Sequence, residues 1–151
     1  MEFKRDGYCG LYCGACPFLL ATEQGSVEEF AQKKGMKPEE VVCYGCKSEH
    51  TAPFCTTCGI KQCAREKGFE WCFECGELPC SMMTAFIEDQ RYPYHLGVMK
   101  NLAAIRQNGV EAWLKAQDAR WRCPECHTKF AWQDEKCTAC GSPVPNYRAD
   151  L

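Results

Sequence analysis

Between residues 81 and 121 apolar side chains return every three or four positions, whereas on either side they come in short, broken runs. Met82, Met83, Phe86 and Ile87 share one helical face; Tyr94, Val98, Leu102 and Ile105 share a second; Val110, Trp113, Leu114, Gln117 and Trp121 mark a third. This spacing predicts three consecutive helices. Ser81 can cap the first, which must end before Pro93, and Asn108-Gly109 closes the second. Upstream, a helix is expected in the gap after Cys16. Ser26-x-x-Glu29 reads as its capping box, with Val27, Phe30 and Ala31 as its apolar face and Gly35 as its stop. Pro38-Glu39-Glu40 reads as the first turn of a short helix leading into Val41-Val42-Cys43. Near the C-terminus Phe130 and Trp132 alternate, which suits a short β-hairpin.

The helical stretch is also the stretch without cysteine. Of the fifteen cysteines in 151 residues, eleven precede it and four follow it. A content this high in a short chain indicates either a secreted disulfide scaffold or a metal-binding protein. The opening residues Met1 to Gly7 lack the apolar core of a secretory signal, and an odd number of thiols cannot pair completely. Metal ligation in a reducing, cytoplasmic compartment is therefore expected. No apolar run is long enough to cross a bilayer, so a membrane partner is not expected. The formal net charge of −2 carries no overall nucleic-acid signature. Residues 91–122 alone sum to +4, which reads as a solvated helix face.

Spacing assigns the metal chemistry. Cys123-Pro-Glu-Cys126 and Cys137-Thr-Ala-Cys140 are two C-x-x-C knuckles ten residues apart, the pattern of a zinc ribbon. Two intervening residues let one turn present both sulfurs to one ion, and Gly141 supplies the permissive backbone after it. His127 adjoins a complete ligand set and is expected to face solvent. In the N-terminal half, Cys55-x-x-Cys58-Gly59-x-x-x-Cys63 and Cys72-x-x-Cys75-Gly76-x-x-x-Cys80 repeat at an offset of 17 residues, each preceded by an aromatic, Phe54 or Trp71. Cys43-x-x-Cys46 and Cys9-x-x-x-Cys13-x-x-Cys16 complete the set. Eleven cysteines make two four-ligand sites with three left over, or three sites if His50 supplies a twelfth ligand. One economical pairing places Cys55, Cys58, Cys72 and Cys75 on one ion and Cys43, Cys46, Cys63 and Cys80 on another. Spacing leaves that connectivity open. The opening triplet has the spacing found in radical-SAM enzymes, yet the strand–helix alternation of their barrel does not follow it.

Taken in order, Cys9-Gly-Leu-Tyr-Cys13-Gly-Ala-Cys16-Pro17, Cys43-Tyr-Gly-Cys46, Cys58-Gly-Ile-Lys-Gln-Cys63-Ala-Arg-Glu-Lys-Gly68 and Cys75-Gly-Glu-Leu-Pro-Cys80 resemble the cysteine-rich bacterial and archaeal family of domain of unknown function 3795. The resemblance covers roughly residues 8–85. It implies that the eleven N-terminal cysteines are metal ligands and transfers no catalytic residue. The helical stretch through Asn108-Gly109-Val110-Glu111-Ala112-Trp113-Leu114 and the ribbon are similar to an extension carried by some members.

The expected fold is a small metal-stabilised α+β protein, mostly helical, with zinc knuckles and a C-terminal zinc-ribbon β-hairpin module. Residues 1–90 form a multi-knuckle metal-binding domain, 91–121 an amphipathic helical segment packed on it, and 122–151 the ribbon. Three or four zinc ions are expected, mainly structural, with an Fe–S cluster as the alternative at the N-terminal cysteines. The functional expectation is a binding or adaptor module with a protein partner. Such a module is favoured over an enzyme, because no Ser/His/Asp set, phosphate loop or His-Glu-x-x-His helix is present. The alternatives are a metal–thiolate or redox site at Cys9, Cys13 and Cys16, with Asp6, Tyr8 or Tyr12 as proton donor, and nucleic-acid binding through a ribbon whose Phe130 and Trp132 stack on bases.

Overall fold

The computed structural model describes residues 1–151, and its regular structure is helical. Behind the first cysteines lie α1 (Pro17–Gln24), α2 (Val27–Lys34) and α3 (Pro38–Val41). The gap after Cys16 thus holds two helices before α3. α1 was legible in Pro17, which sits at the first helical position, and in Gly25, which closes the helix. Ser26 precedes α2 but makes no side-chain cap. The reciprocal contact forms one helix later, where the Glu40 carboxylate accepts the Lys37 N–H at 2.8 Å. Ala21, Ala31 and Val41 bury the small core these three helices share.

Next come α4 (Pro53–Thr56), α5 (Gly59–Lys67) and α6 (Ser81–Glu88). The cap of α6 is Cys80, whose sulfur accepts the Met83 N–H at 3.4 Å. The two copies of the cysteine repeat fold differently. In the first, Gly59 opens α5 and places Cys63 mid-helix; in the second, Cys72–Glu74 is a single 3-10 turn and Gly76 begins an irregular stretch. Pro79 accounts for the difference, because it lacks an N–H and disfavours a helical Leu78 at the point where the first copy continues as helix.

α7 (Val98–Asn108) and α8 (Val110–Arg120) pack together, as the apolar spacing predicted, with Val98, Leu102, Ile105 and Trp113 buried. α7 is the floor beneath the first cysteine turn. Gly10, at φ +90°, lies so close that a β-carbon there would meet the Val98 carbonyl and the Leu102 side chain at 2.7 Å, and Asn101 Nδ2 donates to the Gly10 carbonyl at 2.9 Å.

The expected α+β class is overturned, because the chain contains no sheet and only three isolated bridges, Asp6 with Tyr12, Arg122 with Lys129 and Lys136 with Pro143. No β-hairpin, and so no ribbon, forms after Cys123. The backbone groups that such a hairpin needs are engaged elsewhere. Phe130 N–H donates to the Trp121 carbonyl, Trp132 N–H to the Ala15 carbonyl and Val144 N–H to the Glu135 carbonyl, each at 3.1 Å, while Asp134 closes a turn by accepting the Ala131 N–H. Phe130 and Trp132 instead enter the largest buried cluster, with Tyr12, Ala15, Cys16 and Leu19 from the N-terminus and Ile105, Trp113 and Trp121 from the helices. Tyr94 stacks on Trp132 with ring centroids 4.3 Å apart.

Glu23 on α1 ties the same ends together by ion pairs with Arg5 and Lys129, its side chain 19% exposed. Burial pushes its carboxyl up, but hydrogen bonds from Lys129 and Arg5, reinforced by their charges, outweigh that and hold it below the usual carboxylate range. A depressed native pKa contributes stability above the unfolded value and loses it as pH falls through the native one. Glu23→Gln is therefore expected to destabilise the protein at pH 7 by about 1–2 kcal/mol. The melting curves of the variant and the parent should converge below about pH 4. A stability difference that stays constant across that range would refute this role.

Candidate metal centre

The two C-terminal knuckles are copies of one turn. In the first, Cys123 N–H donates to the Thr128 carbonyl at 2.8 Å and His127 N–H to the Cys123 carbonyl at 2.9 Å. In the second, Cys137 N–H donates to the Ser142 carbonyl at 2.8 Å and Gly141 N–H to the Cys137 carbonyl at 2.9 Å. The turn requires a left-handed residue after its second cysteine, which is Gly141 at φ +75° in one copy and His127 at φ +64° in the other. His127 is exposed, as expected for a residue outside the ligand set.

The turns bring four sulfurs together. Cys123 Sγ lies 3.6 Å from Cys140 Sγ, Cys126 Sγ lies 3.5 Å from Cys137 Sγ, and all four fall within 4.8 Å of one another. A tetrahedral zinc with Zn–S bonds of about 2.3 Å has sulfur–sulfur edges of about 3.8 Å. The set therefore fits a four-coordinate ion.

Its electrostatics are divided by depth. Cys123 and Cys137 are buried, whereas Cys126 and Cys140 face outward. The Thr128 hydroxyl and N–H, with the Cys137 thiol, bring Cys126 down to about 6. The Ser142 hydroxyl and N–H likewise lower Cys140. The Cys126 N–H favours the Cys123 thiolate, yet burial and the Cys140 and Cys126 thiols leave Cys123 raised to about 11. Thr128 and Ser142 were not anticipated from the sequence. The signal was there, since both knuckles read C-x-x-C-x-(Thr or Ser).

The eleven N-terminal cysteines are gathered more loosely, and no other three cysteine, histidine or carboxylate ligand atoms lie within 4.8 Å of one another. Cys9, Cys13, Cys16, Cys43, Cys46, Cys55 and Cys58 form one neighbourhood, which Cys9 and Cys58 join to Cys72. Burial first, then Cys46, pushes Cys9, Cys13 and Cys55 up. Burial chiefly, with Cys43 adding to it, raises Cys16 to about 12 against the N–H of Leu19. Cys9 and Cys13 flank one point, each sulfur 3.7 Å from where a Gly7 β-carbon would stand. Cys63, Cys72, Cys75 and Cys80 form a second neighbourhood around a cavity of about 210 Å³. The structure thus places Cys63 and Cys80 with Cys72 and Cys75, apart from Cys43 and Cys46. His50 is exposed.

The proposed proton donors are engaged otherwise. Asp6 pairs with Lys47 Nζ at 2.8 Å and accepts the Trp71 indole N–H at 3.1 Å. Tyr8 accepts from Arg65 Nε at 3.3 Å. Tyr12 is 3% exposed, edge-on to Trp113, and burial raises its hydroxyl to about 12. Phe130 and Trp132, at 1% and 6% exposure, present no face on which a base could stack. Lys61 was unforeseen: it is 6% exposed, forms no carboxylate ion pair, and its charge favours the Cys46 thiolate.

The ordered series from Cys9 to Cys80 is matched as a whole by a family model described as protein of unknown function (DUF3795), over residues 5–85. The chain belongs to that family. The DUF3795 span includes both N-terminal cysteine neighbourhoods and stops short of the four-sulfur site at Cys123, Cys126, Cys137 and Cys140. No curated protein and no solved structure matches the chain. No helix is long and apolar enough to cross a membrane.

The matched turns make a direct test of the knuckle geometry. At Gly141 a β-carbon would meet nothing within 4 Å, so Gly141→Ala adds only the cost of a left-handed alanine, expected at about 1–2 kcal/mol by denaturant titration. Gly76→Ala, in equally open space and without a positive φ, should be close to neutral. Equal losses from the two substitutions would show that the turn is not what constrains position 141.

Proposed function

We propose that this is a cytoplasmic zinc protein of binding or adaptor type, with a structural zinc on Cys123, Cys126, Cys137 and Cys140. The observation that carries this reading is the four-sulfur set itself, with sulfur separations of 3.5 and 3.6 Å across it. Four thiolates complete the coordination of zinc and leave no position for water or substrate, which is the pattern of a structural site rather than a catalytic one. Two of the ligands, Cys123 and Cys137, lie in the main buried cluster, so an ion there braces the core and not merely a surface loop. The reducing cytoplasm keeps such thiols available to metal. The cysteines from Cys9 to Cys80 are read as ligands of further metal centres. A protein partner is favoured because the cleft between Tyr94, Leu96, Trp121 and Tyr147 offers aromatic and aliphatic side chains beside Lys100 and Arg120.

A structural zinc contributes about 10–16 kcal/mol of apparent binding free energy, which becomes folding free energy. Protein purified without added metal should therefore contain a chelator-resistant zinc that Cys126→Ser and Cys140→Ser remove. Removing it should lower the melting temperature and shift the emission of Trp121 and Trp132, which share the buried cluster with Cys123 and Cys137. Unchanged circular dichroism and melting after complete zinc removal would rule out the structural role.

A further inference from the structure

The two four-cysteine sets differ in one measurable respect. Cys123, Cys126, Cys137 and Cys140 converge to the sulfur–sulfur contact that one ion requires, whereas no three of Cys63, Cys72, Cys75 and Cys80 lie within 4.8 Å of one another. Those four instead line a cavity of about 210 Å³. Four thiolates that surround a volume, rather than meet at a point, suit a polynuclear guest. Each thiolate of an iron–sulfur cube binds a different iron, so the ligand sulfurs stand apart by the width of the inorganic core.

The lining fits the same guest. Ile60, Leu78 and Met83 give the cavity apolar walls, which shield a cluster from solvent. Donors converge on the sulfurs. Met83 N–H donates to Cys80 Sγ at 3.4 Å, and Lys67 Nζ stands 3.9 Å from Cys75 Sγ. Hydrogen bonds to the ligand sulfurs and a nearby cation are what an anionic thiolate-bound cluster needs, and they tune its potential. The cysteines come from α5 (Cys63), the 3-10 turn (Cys72), the residue closing that turn (Cys75) and the cap of α6 (Cys80), so three local structures hold the cavity open. The unequal folding of the sequence repeat produces this. If Gly76 opened a helix as Gly59 does, Cys80 would ride mid-helix instead of capping α6.

We propose that Cys63, Cys72, Cys75 and Cys80 bind a [4Fe–4S] cluster in this cavity. The site is separate from the C-terminal zinc set, and neither reading depends on the other.

The test uses the full chain, reconstituted anaerobically with ferrous iron, sulfide and dithiothreitol, with zinc, iron and acid-labile sulfide measured together. The expected product is brown, with about four iron and four sulfide ions per chain beyond the zinc. Sulfide content should fall at least about tenfold in Cys75→Ser and in Cys80→Ser, while the zinc removed by Cys126→Ser is retained. Should either variant fail to fold, the unaltered protein decides. In the reconstituted chain Cys63, Cys72, Cys75 and Cys80 should resist iodoacetamide together, and become alkylated together once a chelator and an oxidant have stripped the iron and dithiothreitol has reduced the released thiols. A colourless product without labile sulfide, sulfide retained in both serine variants, or alkylation of these four thiols while the brown cluster persists would each overturn the proposal. Loss of zinc with the cluster intact would count against the C-terminal reading alone.

Discussion

Sulfur that is buried without a partner is costly as a thiolate and inert as a thiol, and this chain places most of its cysteines out of full contact with water. Burial is the largest influence on the thiols of Cys9, Cys13, Cys16, Cys46, Cys55 and Cys72, and it raises every one of them. Metal binding requires the opposite state, with the proton gone. The local architecture reduces that conflict by aiming N–H groups at sulfur. The Leu11 N–H favours the thiolate of Cys9, the Cys46 N–H that of Cys13, the Leu19 N–H that of Cys16 and the Tyr8 N–H that of Cys46.

The parts of the fold that were legible in the sequence are those governed by a period. Val98, Leu102, Ile105 and Trp113 are buried as their spacing predicted, and Pro38 opens a helix. Elements governed by competition between partners were not legible. The hairpin expected at Phe130 and Trp132 required those residues to bond across a turn, and no local pattern reveals that Ala15, more than a hundred residues away in sequence, claims the Trp132 N–H. Likewise, two repeats identical in cysteine spacing diverge because Pro79 stands where Gln62 stands in the other copy. The membership in the DUF3795 family was legible, because it rests on the order of the motifs and not on how they fold.

The same dipeptide spacing is therefore built into two different surroundings. Cys123-x-x-Cys126 and Cys137-x-x-Cys140 face each other across a shared centre, two matched turns forming a closed cage. Cys72-x-x-Cys75 faces a helix side and a helix cap across a cavity of about 210 Å³. What distinguishes them is the element that carries the other two sulfurs, not the motif. Spacing within a pair sets how two ligands diverge; the tertiary position of the second pair sets how large an object they can hold.

Trp132 N–H reaches the Ala15 carbonyl at 3.1 Å, and Ala15 lies directly before Cys16 and two residues after Cys13. Five residues beyond Trp132 comes Cys137. One hydrogen bond, inside one buried cluster, thus spans the short distance between a ligand of the C-terminal set and two cysteines of the N-terminal neighbourhood. Order at either end favours order at the other, and such a dependence is reciprocal by thermodynamic necessity. The two ends of the chain are therefore joined through one buried cluster: what loosens the backbone at Ala15 removes a support from the segment that carries Cys137.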